Sequence, residues 1–464
     1  MKDVANAAAP LRIAIVGAGA AGTLVALNVV RRSEPGTTLA LTFVDPAEDL
    51  VVGAAFSTTD PRHLLNVPAA GMSFDPEDRF DFATWCSDQG MVDADEASYW
   101  FAPRREWARY LRQRWQETLA AAGDRVTVTH VRRRATGLVP DGTGITVTVE
   151  GDEPLQADRA VLATGLPSVG DSWAPRDLAG EPRYVADPWA PGALEALLAD
   201  DEDVLVVGTG LTMVDVALSA LGEAGSGRRV VALSRNGRLP QPHAPAYLGE
   251  VVPDVRAWGS TLPEVRAAVH AHVGAVAQLN GDWRPAIDGI RYRVAELWKR
   301  LSESDREAFL RDVAGEWGVR RHRIPPASQA ALAEHQAAGR LEVRAGKITA
   351  VEGTEGGVEV TTADGDRLRF GWVVNCTGPR SDVRTLGNPV LDGLLGVGGE
   401  APVATTDGLG LGLVTRDGRV VGADGDPLPL WTLGALRRGE LWESTAIPEI
   451  RVQAGEVAPA LLAD

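Results

Sequence analysis

Two stretches of this 464-residue chain repeat one pattern: a short apolar run, a glycine turn, then an apolar helix-like segment. The first is LRIAIVGAGAAGTLVALNVVRR, residues 11–32. Its run from Ile13 to Val16 is continuously apolar, as suits a parallel strand covered on both faces. Gly17, Gly19 and Gly22 follow at GxGxxG spacing, with Ala21 beside the last, and the pattern predicts a helix from Ala20 to Arg31. The second is VLVVGTGLTMVDVALSAL, residues 204–221, with Gly208 and Gly210 in its turn and Met213 where a third glycine would stand. Glycines let the backbone turn tightly and approach a pyrophosphate, and the helix N-terminus adds N–H groups and partial positive charge. Two such units imply an α/β chain with two dinucleotide-binding folds.

The ends of the next strands refine this. LALTFVD ends in Asp45, whose carboxylate can accept hydrogen bonds from ribose hydroxyls. VVALSRNG ends in Ser234 and Arg235, and a guanidinium there suits a 2′-phosphate, favouring NADPH over NADH. The bland alternatives are a packing turn without ligand and a solvated arginine. A second repeat supports the duplication. Residues 126–165 read as polar strands (VTVTHV, ITVTVE) and then DRAVLATG, with Thr164 and Gly165 at the end. Residues 341–378 read as LEVRAGKI, GVEVTT, DGDRL and GWVVNCTG, so each half is expected to be a β-meander leading to an apolar strand that carries [AC]TG.

A chain of this length exceeds one core. The expected domains are 1–170, then 171–378 with a helical insertion at about 261–323, then a return to the first domain over 379–464. The insertion rests on helical spacing of Ile290, Val294, Leu297 and Leu301, and Pro167 to Asp203 reads as a linker. A net charge of −17 argues against a general nucleic-acid binder, which needs a basic surface, but leaves room for a local cationic pocket. The apolar stretch from Ile13 to Val30 is broken by Gly17, Gly19, Gly22, Thr23 and Asn28, which argues against a membrane span. A soluble, cytoplasmic protein is expected. Cys86 and Cys376 form no CxxC pair, so neither a zinc knuckle nor a dithiol centre can be drawn. His270 and His272 lack a third ligand at metal spacing, and no metal site is predicted.

The motif order (GxGxxG, ATG, GxG, CTG and a late LGA) resembles that of two-dinucleotide-domain flavoproteins, which include flavin-dependent and N-hydroxylating monooxygenases. The blocks GAAFSTTDPRHLLNVPA, SRNGRLPQPH, RHRIPP and LRRGELWESTAIPEIRVQA narrow the resemblance to a branch of FAD/NAD(P)-binding proteins, and it covers nearly the whole chain. It implies an α/β fold of two Rossmann-like domains in a glutathione-reductase-like arrangement, with FAD in the first, NADPH in the second and the flavin ring between. Gly17, Gly19, Ala21, Gly22, Asp45, Thr164, Gly165, Gly434 and Ala435 would then hold FAD, and Gly208, Gly210, Ser234 and Arg235 would hold NADPH. A helix starting near Pro448 would aim its N-terminus at the flavin pyrimidine edge. The usual aspartate of the late strand is absent here. His63, Asn66, Glu443 and Ser444 are the candidates around the isoalloxazine, with Asn66 donating hydrogen bonds and His63 titrating near neutral pH. Their structural alternatives are a turn cap for His63 and an ion pair of Glu443 with Arg437 or Arg438. The function implied is oxygenation of a small molecule by O2 through a hydroperoxyflavin, with an amine nitrogen as the substrate atom. The alternatives are an FAD-dependent NAD(P)H oxidoreductase without oxygenation and a nucleotide-binding sensor without turnover.

Overall fold

The computed structural model describes residues 9–165, 167, 169–222 and 227–463. The chain opens with β1 (Leu11–Val16), α1 (Ala20–Arg32) and β2 (Leu39–Val44). Helices α2 (Asp81–Asp88) and α3 (Arg104–Ala122) precede β3 (Val126–Val131). Strands β4 (Ala135–Pro140), β5 (Ile145–Val149) and β6 (Leu155–Ala157) form an antiparallel meander that leads into β7 (Arg159–Leu162). The second sheet uses β8 (Tyr184–Val185), β9 (Val204–Val207) and β10 (Val230–Ser234), with α4 (Glu195–Leu198) before β9 and α5 (Leu211–Leu221) after it.

Between β10 and β11 the chain runs through α6 (Leu262–Asn280), α7 (Arg284–Ile290), α8 (Val294–Arg300), α9 (Glu303–Asp312), α10 (Ala314–Arg321) and α11 (Pro326–Ala337). Strand β11 (Leu341–Ala345) closes one edge of the second sheet. A second meander, β12 (Ile348–Thr354), β13 (Gly357–Thr362) and β14 (Arg367–Phe370), leads into β15 (Trp372–Asn375). The remainder comprises α12 (Pro389–Leu395), β16 (Thr415–Arg416), β17 (Arg419–Val421), β18 (Pro427–Thr432), α13 (Arg438–Leu441) and α14 (Ile447–Leu462).

The first sheet has the order β16-β17-β18-β7-β1-β2-β3 and the second β11-β10-β9-β15-β8. Strand β18 pairs in parallel with β7, so the C-terminal stretch returns to the first sheet. From Ile13 to Val16, strand β1 is apolar because each face meets a different core. Ile13 and Ile15 join the cluster under α1, α3 and α14, while Ala14 and Val16 join the one under the first meander and α12. Strand β9 divides in the same way, with Val204 and Val206 on one side and Leu205 and Val207 on the other.

Two sequence expectations are corrected. VTVTHV and LEVRA alternate in the manner of meander strands, yet β3 and β11 pair in parallel with β2 and β10 as edges of the two main sheets. An edge strand is only partly covered, so it shows the same polar–apolar alternation as a solvated meander. The tryptophan-rich helices α6–α10 build a core of their own, which also takes in Leu411 and Trp442 from the C-terminal stretch. Among the described residues, no helix is long and apolar enough to cross a membrane.

Candidate active site

The two glycine turns are built alike. Gly17 has φ +104°, and a Cβ on it would stand 2.3 Å from the Ala163 carbonyl oxygen at the end of β7. Gly208 has φ +108°, and its Cβ would stand 2.3 Å from the Cys376 carbonyl oxygen after β15. The GxG and [AC]TG repeats are therefore two sides of one contact, and glycine is required for both its space and its positive φ. Gly22 has no more room, since its Cβ would meet the Gly17 carbonyl at 2.1 Å. In the second unit Met213 occupies the matching position and is fully buried in the core beneath α5.

Around the first turn, Gly19 faces the Gly53 backbone so closely that a Cβ would come to 3.3 Å, and Ala21 is buried in the first turn of α1. Asp45 follows β2, and its carboxylate accepts from the Ala18 amide at 2.8 Å and the Ala47 amide at 2.8 Å. Thr164 and Gly165 are exposed beyond β7. In the second unit, Gly210 is the extended residue ahead of α5. Ser234 Oγ lies 2.9 Å from Thr209 Oγ1 and accepts from the Gly237 amide, which fixes the loop after β10. Arg235 is exposed on that loop.

Residues 14–167 match the FAD-NAD(P)-binding family model. No curated protein sequence matches the chain. Among solved structures, the reduced form of ornithine hydroxylase from Pseudomonas aeruginosa is similar at 14% identity and TM-score 0.64, over 98% of this chain and 99% of its own. An ornithine N-hydroxylase from Kutzneria sp. 744, solved with reduced FAD, NADP+ and L-ornithine, is similar at 17% and TM-score 0.61, over 98% and 99%. L-lysine 6-monooxygenase from Pseudomonas syringae gives 19% and 0.64, over 97% and 98%. The fold is that of the two-dinucleotide-domain flavoproteins.

The C-terminal stretch presents donors that would suit a flavin. Gly434 (φ +72°) and Ala435 follow β18, and the Gly434 amide donates to Gln453 Oε1 at 3.0 Å. Gln453 in turn donates to the Ser444 carbonyl at 2.9 Å, tying the loop to α14. Ser444 is 1% exposed and its hydroxyl has no hydrogen-bond partner among the described residues. No side chain caps the N-terminus of α14. A buried unpartnered hydroxyl next to an uncapped helix start is a set of donors short of an acceptor.

Trp442 precedes this loop at φ +61° and ψ −65°, with the Glu443 amide donating to the Leu441 carbonyl across a γ-turn. Such a turn is strained for a tryptophan. Stacking on Trp298, with ring centroids 5.1 Å apart, and the Arg438 guanidinium 4.3 Å from the ring centroid hold it in place. Glu443 accepts from Trp317 Nε1 at 2.7 Å and lies 3.4 Å from His322 and 3.8 Å from Arg321. Burial alone would raise its carboxyl, but Arg321 and His322 hold it well below the usual range. Of the two expected partners, Arg437 is corrected, because it bonds to Glu440 instead, whereas Arg438 interacts with Glu443 through its charge.

His63 is also corrected. It is 4% exposed, and both ring nitrogens are engaged: Nδ1 with Thr58 Oγ1 at 2.7 Å, and Nε2 with Ser219 Oγ at 2.8 Å and the Asp215 carbonyl at 3.2 Å. Since Ser219 donates its own proton to Asp60, the network calls for a neutral imidazole with its proton on Nε2. Burial pushes its pKa down, away from the expected neutral titration. His63 joins the 58–63 loop to α5 rather than standing free. Beside it, Arg104 donates to the buried Asp215 at 2.6 Å, so a salt bridge links α3 to α5. Asn66 accepts at its carbonyl from His243, a residue the sequence did not single out; burial lowers the His243 pKa to about 3. Cys86 and Cys376 lie in separate cores, and burial raises both thiols, Cys86 to about 12.

Proposed function

We propose that the chain is an NADPH-dependent flavoprotein monooxygenase that oxidises a nucleophilic atom of a small molecule, with an amine nitrogen of an amino-acid-like compound as the substrate atom. The balance is NADPH, a proton, O2 and substrate giving NADP+, water and the hydroxylated product. What carries this reading is a likeness to N-hydroxylating enzymes over the full chain length, joined to two glycine turns of the same build.

Residues 1–170 and 379–464 form the FAD-binding domain in this proposal, and 171–378 the NADPH-binding domain with α6–α10 inserted. Gly17, Gly19, Ala21 and Gly22 leave room for the pyrophosphate, Asp45 takes ribose hydroxyls, and Thr164, Gly165, Gly434 and Ala435 line the cleft. FAD supplies hydride acceptance from NADPH and the activation of O2. The chain's own residues bind, orient and exclude water. Gly208 and Gly210 admit the NADPH pyrophosphate, while Ser234 and Arg235 receive the 2′-phosphate; Arg235 is exposed and forms no ion pair with the described residues. The Ser444 hydroxyl and the N-terminus of α14 favour negative charge developing at their edge of the ring. The Asn66 side chain can donate to a flavin carbonyl, and Glu443 is held ionised as a fixed charge rather than a proton donor. Two buried thiols in separate cores give no support to a dithiol reductase.

The test is the coupling between NADPH oxidation and product, measured with a panel of amines and amino acids. One compound should accelerate NADPH oxidation and yield a hydroxylated product in near 1:1 ratio. Acceleration with only hydrogen peroxide, or with a reduced acceptor in its place, would select the oxidoreductase without oxygenation.

A further inference from the structure

The loop before α14 and the first turns of α14 carry a chain of charges that does not balance. Glu443 lies 3.8 Å from Arg321, Arg321 lies 3.4 Å from Glu449, and Glu449 accepts from Arg291 Nε at 2.5 Å. Each end of this row stops on an unmatched guanidinium. At one end Arg438 lies 4.3 Å from the Trp442 ring centroid, near Glu443, and makes no hydrogen bond to a carboxylate among the described residues. At the other end is Arg451, one turn into α14, whose buried Nε and Nη1 have no hydrogen-bond partner among the described residues. Four guanidiniums face two carboxylates there, in a chain whose net charge is −17.

Arg451 is the more exacting case. Burial is the first cause that lowers its pKa, and the like charges of Arg291 and Arg79 add to it, against smaller opposing effects of Tyr110 and Glu449. Glu449 is committed through Oε1 to Arg291 and Arg321, and its buried Oε2 accepts no hydrogen bond from the described residues, Arg451 included. An arginine does not escape this by losing its proton. A half-buried guanidinium among like charges is costly unless an anion completes it, and its Nε and Nη groups match a carboxylate in bidentate fashion.

We propose that Arg451, with Arg291 beside it, is a substrate-carboxylate subsite, and that the substrate is a net anionic amine such as a dicarboxylic amino acid. This rests on the reading above, in which α14 begins at the flavin. The row is short of two negative charges, which disfavours a substrate with a cationic side chain of the ornithine or lysine kind.

The experiment uses the FAD-loaded full chain and calorimetric binding of L-aspartate, L-glutamate, L-ornithine and L-lysine, followed by the same probes on Arg451→Gln and Arg451→Lys. At least one of the two acids should bind more tightly than either diamino acid. Arg451→Gln should weaken that binding about tenfold or more, the usual scale for losing a charged hydrogen-bond pair, and Arg451→Lys should recover part of it. Unchanged acid binding in folded Arg451→Gln, tighter binding of the diamino acids, or no binding of either acid would overturn the subsite. Melting curves separate these outcomes from unfolding: a merely structural Arg451 lowers the melting temperature and leaves the acid-to-diamino preference intact. Reduction of the bound flavin by NADPH without substrate is followed in parallel. If the flavin is reduced and no acid binds, the subsite fails alone; if acids bind and NADPH does not reduce the flavin, the functional reading fails and the subsite stands.

Discussion

At the residue scale, the strongest constraints are the glycines that leave no space. Gly17→Ala places a methyl 2.3 Å from a backbone carbonyl at a φ that side chains rarely adopt, so the turn must shift. The variant should purify with little or no flavin and a lowered melting temperature. Gly208→Ala carries the same clash in the second unit. It should keep its flavin and lose affinity for NADPH, which flavin absorbance and steady-state KM distinguish. Arg235→Ser should raise KM for NADPH about tenfold or more and leave KM for NADH nearly unchanged, as expected for a charged contact worth about 1.5–3 kcal/mol. Equal effects on the two cofactors would remove Arg235 from the 2′-phosphate site. The two glycine turns were legible in the sequence because each obeys a local rule of spacing. His63, by contrast, was read from its type alone. Nothing local reveals that Ser219 and Asp215, more than 150 positions away, take its Nε2.

At the element scale, the joint between the two units is a polar one, centred on α5. Asp215 is 4% exposed, burial pushes its carboxyl upward, and Arg104 on α3 opposes that shift. Arg104→Met would leave the carboxylate buried and unpaired, at a cost of about 3–5 kcal/mol if it stays ionised. Chemical denaturation should report that loss, and Arg104→Met with Asp215→Asn should recover much of it. The same joint predicts acid sensitivity. His63 and His243 both have pKa values lowered by burial in the folded state, His243 to about 3. Between pH about 6.5, where an unfolded histidine titrates, and the folded values, the unfolded chain binds more protons. Stability is therefore full above pH about 6.5 and falls as the pH drops. His243→Gln should flatten the melting temperature between pH 6.5 and 5 relative to wild type; an unchanged slope would contradict the assignment. The elements themselves were largely foreseeable. β1, β2, α1, β9 and α5 came from continuous apolar runs and glycine turns, and α14 was expected to start near Pro448. What misled was alternation, which an edge strand such as β3 shares with a meander strand.

At the scale of the whole molecule, the account is one of duplication with a third body added. Each half presents a glycine turn against an [AC]TG strand end, and the C-terminal stretch returns to the first sheet to complete it. Helices α6–α10 are inserted in sequence between β10 and β11, yet they pack on the C-terminal stretch, where Trp298 donates to the Gly439 carbonyl at 2.8 Å. The apolar cavity they form is lined by Trp298, Trp317 and Trp442, and Trp317 also donates to Glu443. Helical periodicity in the sequence identified these helices, but their docking depends on long-range contacts of single tryptophans that no periodicity encodes.

The measurement that bears most directly on the central claim is the visible spectrum of the purified, FAD-reconstituted protein during anaerobic titration with NADPH. One flavin per chain, bleached by one equivalent of NADPH and much more slowly by NADH, is the predicted result. A chain that takes up no FAD, or a bound flavin that NADPH leaves oxidised, would contradict the account.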